Sequence, residues 1–93
     1  MSKYQNIINQ CDIAIRSIKS ILSPDEFQEC MNYIHQYNEW LIALELAIDW
    51  LVEDDRKITE ESYRRFKAAY QLMALESDIR LQYLKSQIVD LDL

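Results

Sequence analysis

Ninety-three residues, of which 49% are hydrophobic, can form one small hydrophobic core but not two. The absence of glycine and the single proline disfavour β-hairpins and phosphate-binding loops, so we expect an all-α fold. The formal net charge of −6 argues against direct nucleic-acid binding, and no apolar run approaches the roughly 20 residues that cross a bilayer. We therefore expect one domain over residues 1–93, a cytoplasmic bundle of four or five helices.

The first predicted helix spans about residues 3–22. Its apolar side chains recur at steps of three and four positions and form one stripe, with Ile13 as the lone apolar residue opposite. The stripe comprises Tyr4, Ile7, Ile8, Cys11, Ala14, Ile15, Ile18, Ile21 and Leu22. This pattern predicts a helix with one face toward the core and one toward solvent.

The second predicted helix, about residues 24–37, has the clearest start in the chain. Ser23 can cap it, Pro24 suits its first position, and Glu26 can reach back to complete a capping box. The side chains expected to be buried are Phe27, Cys30, Met31, Tyr33 and Ile34. A turn is predicted at residues 36–38, where Asn38 suits a left-handed or capping conformation.

The third predicted helix, about residues 39–54, is apolar almost all round. Its expected core face consists of Trp40, Leu44, Ala47, Ile48 and Leu51. The opposite face carries three carboxylates at four-residue spacing, which we call the acidic row: Glu45, Asp49 and Glu53. The apolar neighbours of this row are Ile42 and Leu46, with Trp50 at its margin. A helix of this kind is either central to a bundle or half of an interface.

Two further helices are predicted at about residues 60–75 and 78–89. Thr59 caps the fourth, and Asp78 marks the start of the fifth. The expected inner face of the fourth is Tyr63, Phe66, Tyr70 and Met73. The apolar pattern of the fifth is irregular: Ile79, Leu81, Tyr83, Leu84 and Ile88. The tail at residues 89–93 alternates like a strand without an evident partner, so we expect it to be frayed or docked by its leucines.

The residues that usually carry catalysis or bind metal are scarce. Cys11 and Cys30 fall on apolar faces and are expected to be buried, reduced thiols, although a disulfide between the first two helices is geometrically feasible. His35 is the only histidine and is expected to be solvated. Zinc sites built on a histidine pair and carboxylate-bridged di-iron sites with a Glu-x-x-His pair therefore lack their ligands. We expect no cofactor, no metal and no catalytic residue, hence a protein that is not an enzyme.

The charge is concentrated in the middle third of the chain. Residues 20–55 contain nine carboxylates and no lysine or arginine: Asp25, Glu26, Glu29, Glu39, Glu45, Asp49, Glu53, Asp54 and Asp55. One interpretation is a solvated face of a helical bundle. The other is an interface, because like charges one turn apart destabilise a helix by about 0.2–0.5 kcal/mol per pair and apolar residues lie among them. This second interpretation predicts a surface for a cationic protein, formed by Glu45, Asp49, Glu53, Asp54, Ile42, Leu46 and Trp50.

Several short segments between about residues 22 and 75 carry a family resemblance. They are Leu22-Ser23-Pro24-Asp25-Glu26-Phe27, Ala43-Leu44-Glu45, Asp49-Trp50-Leu51, the acidic pair Glu53 and Asp54, and Ile58-Thr59. Together they resemble the MafI-type family of small bacterial immunity proteins, which occur beside toxins of the Maf and contact-dependent growth inhibition systems. The resemblance implies a cytoplasmic antitoxin that binds and blocks a delivered toxin, and the toxins of such families are often ribonucleases, including EndoU-like ones. It supplies no residue-level site.

The charge pattern and the resemblance lead to the same expectation. A nuclease gathers positive charge along its substrate groove, so an acidic inhibitor can occupy the place of RNA. We therefore expect a stoichiometric inhibitor of a cognate toxin, a basic nuclease, without direct binding to nucleic acid or membrane. The alternative is a helical adaptor or regulator with an ordinary cellular partner. Ile13 and the irregular fifth helix also leave room for a homodimer.

Overall fold

The computed structural model describes residues 2–89, which form an all-α bundle, as predicted. The five α-helices are α1 (Lys3–Ser17), α2 (Pro24–His35), α3 (Trp40–Glu53), α4 (Glu60–Leu72) and α5 (Ile79–Lys85). A short 3₁₀ helix, Lys19–Ile21, follows α1. The predicted third helix agrees with α3 to within one residue at each end.

One hydrophobic core joins the helices. α1 packs mainly against α4, α2 packs against α3, and α5 lies against both α3 and α4. Burial of apolar surface is the main stabilising term, at about 1.5–3 kcal/mol for each large side chain removed from water. The largest fully buried side chains are Tyr70, Phe66, Ile15, Ile18, Ile34, Leu44, Ile48, Leu51 and Leu84. The predicted stripes of the first four helices supply most of them.

Side-chain caps confirm three of the predicted helix starts. The Ser23 hydroxyl accepts from the Glu26 backbone N–H at 3.1 Å, and the Glu26 carboxylate accepts from the Ser23 N–H at 2.8 Å. The hydroxyl of Thr59 accepts from the N–H of Ser62 at 3.0 Å. At α5, the Asp78 carboxylate accepts from the Arg80 N–H at 2.8 Å. Each cap satisfies a backbone donor that has no partner within its helix.

The prediction that the first helix continues to residue 22 is wrong. The α-helix ends at Ser17, and the Ile18 N–H bonds the carbonyl only three residues back, that of Ile15, at 3.1 Å. A tertiary contact accompanies this change, because the Ser62 hydroxyl donates to the Ser17 carbonyl at 3.2 Å. Ile18 and Leu22 remain buried through the 3₁₀ turn, so the apolar pattern alone does not show the change.

Two other helices end earlier than predicted. α4 stops at Leu72 instead of 75, because Ala74 adopts a left-handed conformation (φ 57°) and the Leu75 N–H bonds the Tyr70 carbonyl at 2.9 Å. α2 stops at His35 instead of 37. The turn that follows is as predicted, with Asn38 at φ 54°.

The predicted fifth helix is too long, and the prediction that Val89 lacks a partner is wrong. α5 ends at Lys85. The Ile58 N–H then donates to the Gln87 carbonyl at 2.9 Å, and the Val89 N–H donates to the Ile58 carbonyl at 2.8 Å. These bonds form a parallel β-bridge between Ile58 and Ile88. The rest of the predicted tail, residues 90–93, lies outside the described residues.

Candidate partner-binding surface

The acidic row faces away from the core, as the helical spacing predicts. The core face of α3 is buried, with exposed fractions of 1% or less, and consists of Ala43, Leu44, Ala47, Ile48 and Leu51. On the opposite side Glu53 is exposed, while Glu45 and Asp49 are half-buried. The carboxylates of α3 therefore reach the surface.

The three apolar residues beside the acidic row differ in their environment. Ile42 is 37% exposed. Leu46 is half-buried and is not among the described side chains that pack against the buried core. Trp50 is also half-buried, but it packs against the core and therefore contributes to the fold. Ile42 and Leu46, one turn apart, are the apolar side chains of α3 most available to a partner.

Residues 20–55 offer the acidic row no lysine or arginine, but Arg80 of α5 pairs with two of its three members. Nη1 of Arg80 lies 3.4 Å from Oε2 of Glu45, and Nε of Arg80 lies 3.5 Å from Oδ1 of Asp49. Both distances exceed the 2.7–2.9 Å of strong charge-assisted bonds, and partly exposed pairs of this kind contribute at most about 1 kcal/mol. Glu45 and Asp49 thus share the single positive charge of Arg80, which leaves one negative charge in excess.

Asp54 belongs to a different group of side chains, the Arg56 cluster, formed by Glu26, Asp54 and Arg56. Arg56 donates to both carboxylate oxygens of Glu26, at 2.7 and 2.9 Å, and to Asp54 Oδ2 at 2.6 Å. It also donates to the Ile21 carbonyl at 3.0 Å. The hydrogen bonds from Arg56 lower the pKa of Glu26 to about 2. The cluster connects the 3₁₀ helix, the start of α2 and the end of α3, so the charge of Asp54 is engaged within the fold.

Asp55 is also paired, since its Oδ1 lies 2.9 Å from the ammonium of Lys57. Within residues 2–89, four of the nine form no ion pair: Asp25, Glu29, Glu39 and Glu53. Nine carboxylates against three cations leave a formal charge of −6 on this part of the molecule. The other fourteen charged residues of the sequence are seven acidic and seven basic. The whole net charge therefore belongs to residues 20–55 and their ion-pair partners.

The side chains that could take part in catalysis or bind a metal are either buried or paired with another side chain of the fold. Cys11 and Cys30 are free, buried thiols, as predicted, and burial raises the pKa of each to about 12. His35 is on the surface, but its Nε2 lies 2.7 Å from Oδ2 of Asp12, so it joins α2 to α1. Within the described residues, no group of three or more His, Cys, Asp or Glu side chains could hold a metal ion.

Sequence reasoning missed three residues beside this surface: Arg80, Ile79 and Tyr83. Arg80 is more than 30 positions from its two partners, Glu45 and Asp49, and nothing in the local sequence signals the pairing. The irregular apolar pattern of the fifth helix arises because α5 has two apolar faces. Leu81 and Leu84 are buried, whereas Ile79 and Tyr83 are 50% and 53% exposed. Their four-residue spacing was the available signal for the second face.

Comparison with protein-family models, with curated proteins and with solved structures gives no match to this chain. Across residues 2–89, no helix combines the length and the apolar character that a bilayer span requires.

Proposed function

We propose that this chain is an immunity protein, a stoichiometric inhibitor that binds a cognate bacterial toxin through the acidic face of α3 and has no enzymatic activity. The toxin is a basic nuclease in this proposal. The observation that carries it is the location of the whole formal charge of −6 on residues 20–55 and their ion-pair partners. The resemblance to small bacterial immunity proteins supports the same assignment.

The negative charge of residues 20–55 favours a cationic protein as the partner. A nuclease collects positive charge where it binds the phosphate backbone, and an anionic surface competes for that region. Complementary charge raises the rate of encounter, up to roughly 10⁸–10⁹ M⁻¹s⁻¹ at low salt, and selects among partners. Two carboxylates are best placed to act in this way: Glu53, which is exposed and forms no ion pair among the described residues, and the half-buried Asp49, which shares Arg80 with Glu45.

The apolar side chains supply the other requirement of a specific interface. Ile42 is 37% exposed and Leu46 is half-buried beside the acidic row. Protein interfaces commonly combine an apolar centre, which contributes affinity, with a charged rim, which contributes rate and specificity. The outer face of α3 has both parts.

Co-expression with the product of the gene immediately upstream tests the proposal. We expect that product to be toxic alone, to be neutralised by this chain, and to form a 1:1 complex with it. The triple variant Glu45→Lys, Asp49→Lys, Glu53→Lys should lose at least about 100-fold in affinity, because three rim charges each contribute on the order of 1 kcal/mol. The matched control Glu60→Lys, Glu61→Lys, Glu76→Lys changes the net charge equally outside this surface and should lose far less.

Three results would contradict the proposal. A harmless upstream product, with a stable complex to an ordinary cellular protein instead, would favour the helical adaptor. Loss of helical circular dichroism in the first triple variant would show that the acidic row is structural. An association rate that stays flat as the salt concentration rises would exclude electrostatic steering.

A further inference from the structure

The outer face of α5 presents two apolar side chains that are about half exposed within residues 2–89. Ile79 is 50% exposed and Tyr83 is 53% exposed, and they lie one helical turn apart. Leu81 and Leu84, on the other side of the helix, are 3% and 0% exposed and join the core. A seven-residue helix that buries one apolar face needs no second one for its own stability.

This face lies beside the outer face of α3. Arg80 of α5 contacts Glu45 and Asp49, and just beyond the end of α5 the Gln87 amide donates to the Leu51 carbonyl at 3.4 Å and to Asp55 Oδ1 at 3.0 Å. Residue numbers rise together along the two segments, so α5 and α3 run side by side in the same direction. By helical spacing, Ile79 and Tyr83 lie next to Arg80 on the exposed side of α5, and Ile42 and Leu46 lie next to Glu45 and Asp49 on the exposed side of α3.

We propose that these two outer faces form one docking surface for an amphipathic, basic helix of the partner. The surface, here called the α3–α5 face, consists of Ile42, Leu46, Ile79 and Tyr83 around Glu45 and Asp49. The inference rests on the proposed function and deepens it, because it names the kind of element that binds and adds α5 to the site.

Spacing and charge both favour this occupant. Apolar pairs one turn apart on two neighbouring helices match the ridges of a third helix, whose own apolar residues recur at three and four positions. Two acidic side chains share Arg80 in the middle of the face, and Glu53 extends the negative charge along α3. A docking helix with lysine or arginine on its rims complements this charge.

A second copy of the same chain fits this face less well. A two-fold symmetric interface brings the same patch of each copy together. Here it would set the acidic rows against each other, and like charges in contact oppose association. The charge therefore selects a different, basic molecule.

The test uses a synthetic 14-residue peptide of leucine and lysine whose leucines recur at helical spacing. A scrambled peptide of equal composition serves as the ligand control, and binding is measured by titration calorimetry. The wild-type chain should bind the amphipathic peptide more tightly than the scrambled one. The variant Ile79→Ser, Tyr83→Ser should weaken that binding at least about 10-fold.

A matched variant controls for the loss of exposed apolar surface elsewhere. Ile13→Ser, Tyr37→Ser removes an isoleucine and a tyrosine that are 38% and 58% exposed on other elements, and it should bind like the wild type. Equal binding of both peptides, or equal binding by both double variants, would overturn the inference. So would a homodimer of the wild type that only Ile79→Ser, Tyr83→Ser dissociates.

Protection assays separate this inference from the proposed function. If Ile79→Ser, Tyr83→Ser protects cells as well as the wild type while the acidic-row variant fails, the immunity function stands and the α5 contribution is wrong. If the upstream product is harmless while peptide binding depends on Ile79 and Tyr83, the α3–α5 face stands and the toxin assignment is wrong.

Discussion

Replacing Glu26 by glutamine should separate the charge of the Arg56 cluster from the helix cap. Glutamine retains a side-chain oxygen that can accept from the Ser23 N–H, so the start of α2 is preserved. It loses the carboxylate that faces the Arg56 guanidinium in a two-pronged contact. The variant therefore measures the ion pair that joins the α3–α4 connection to α2.

The expected loss of stability follows from geometry and exposure. The two bonds are 2.7 and 2.9 Å long, and the Arg56 and Glu26 side chains are only 23% and 20% exposed. Exposed ion pairs contribute up to about 1 kcal/mol and hydrogen bonds to charged groups about 1.5–3 kcal/mol, so we expect a loss of about 1–2 kcal/mol. For a domain of this size that corresponds to a Tm lower by about 5–15 °C.

The pH dependence gives a second measure of the same ion pair. The hydrogen bonds from Arg56 hold the pKa of Glu26 at about 2 in the folded state, against an ordinary value of 4.5. Because this pKa is lowered by folding, its stabilisation is present above about pH 4.5 and is lost as the pH falls toward 2. The difference between the free energies of unfolding of the wild type and Glu26→Gln should therefore shrink as the pH falls. At pH 3 it should be less than about half of its value at pH 7.

Urea unfolding followed by circular dichroism measures these free energies at each pH. Glu29→Gln is the matched control, since it makes the same change on the same helix at a carboxylate that forms no ion pair among the described residues. It should shift stability by no more than about 0.5 kcal/mol. Equal stability of Glu26→Gln and the wild type at pH 7, or a difference unchanged at pH 3, would refute the assigned role of the charge.

Two further predictions concern local conformation and a buried hydroxyl. Ala74→Gly should raise the free energy of unfolding by about 0.5–1 kcal/mol, because alanine is disfavoured at a φ of 57°, whereas Ala68→Gly within α4 should lower it by a similar amount. Thermal melts of both variants check this, and a destabilised Ala74→Gly would contradict it. Tyr70→Phe should leave the urea midpoint unchanged or higher, since the buried Tyr70 hydroxyl makes no hydrogen bond among the described residues. A loss above about 1 kcal/mol would show that the hydroxyl is bonded.

The sequence predicted helix starts better than helix ends, for a physical reason. Ser23, Thr59 and Asp78 cap helices through side chains two or three residues from their backbone partners, so the signal is local. The end of α1 instead coincides with a bond from a distant residue of α4, and the end of α4 places an alanine where glycine is the usual signal. Neither feature is visible in a short stretch of sequence.

In the candidate surface, too, the local sequence predicts some features, while others depend on contacts with distant residues. The outward position of the acidic row follows from helical spacing, and the structure agrees. Its partial neutralisation depends on Arg80, which approaches only after α5 has packed against α3. The spacing of its apolar residues indicates that α5 has two apolar faces, but which face is buried depends on the packing of Leu81 and Leu84 in the core.

The six-residue connection 54–59 between α3 and α4 is held on two sides. Arg56 ties it to α2, while the Gln87 amide and the Ile58–Ile88 bridge tie it to the chain beyond α5. Loops usually tolerate added residues because few contacts fix their length. Here an insertion would have to break bonds to segments about 30 positions away in both directions. An insertion in this connection should therefore cost more stability than one at residues 36–39, where the backbone hydrogen bonds are local.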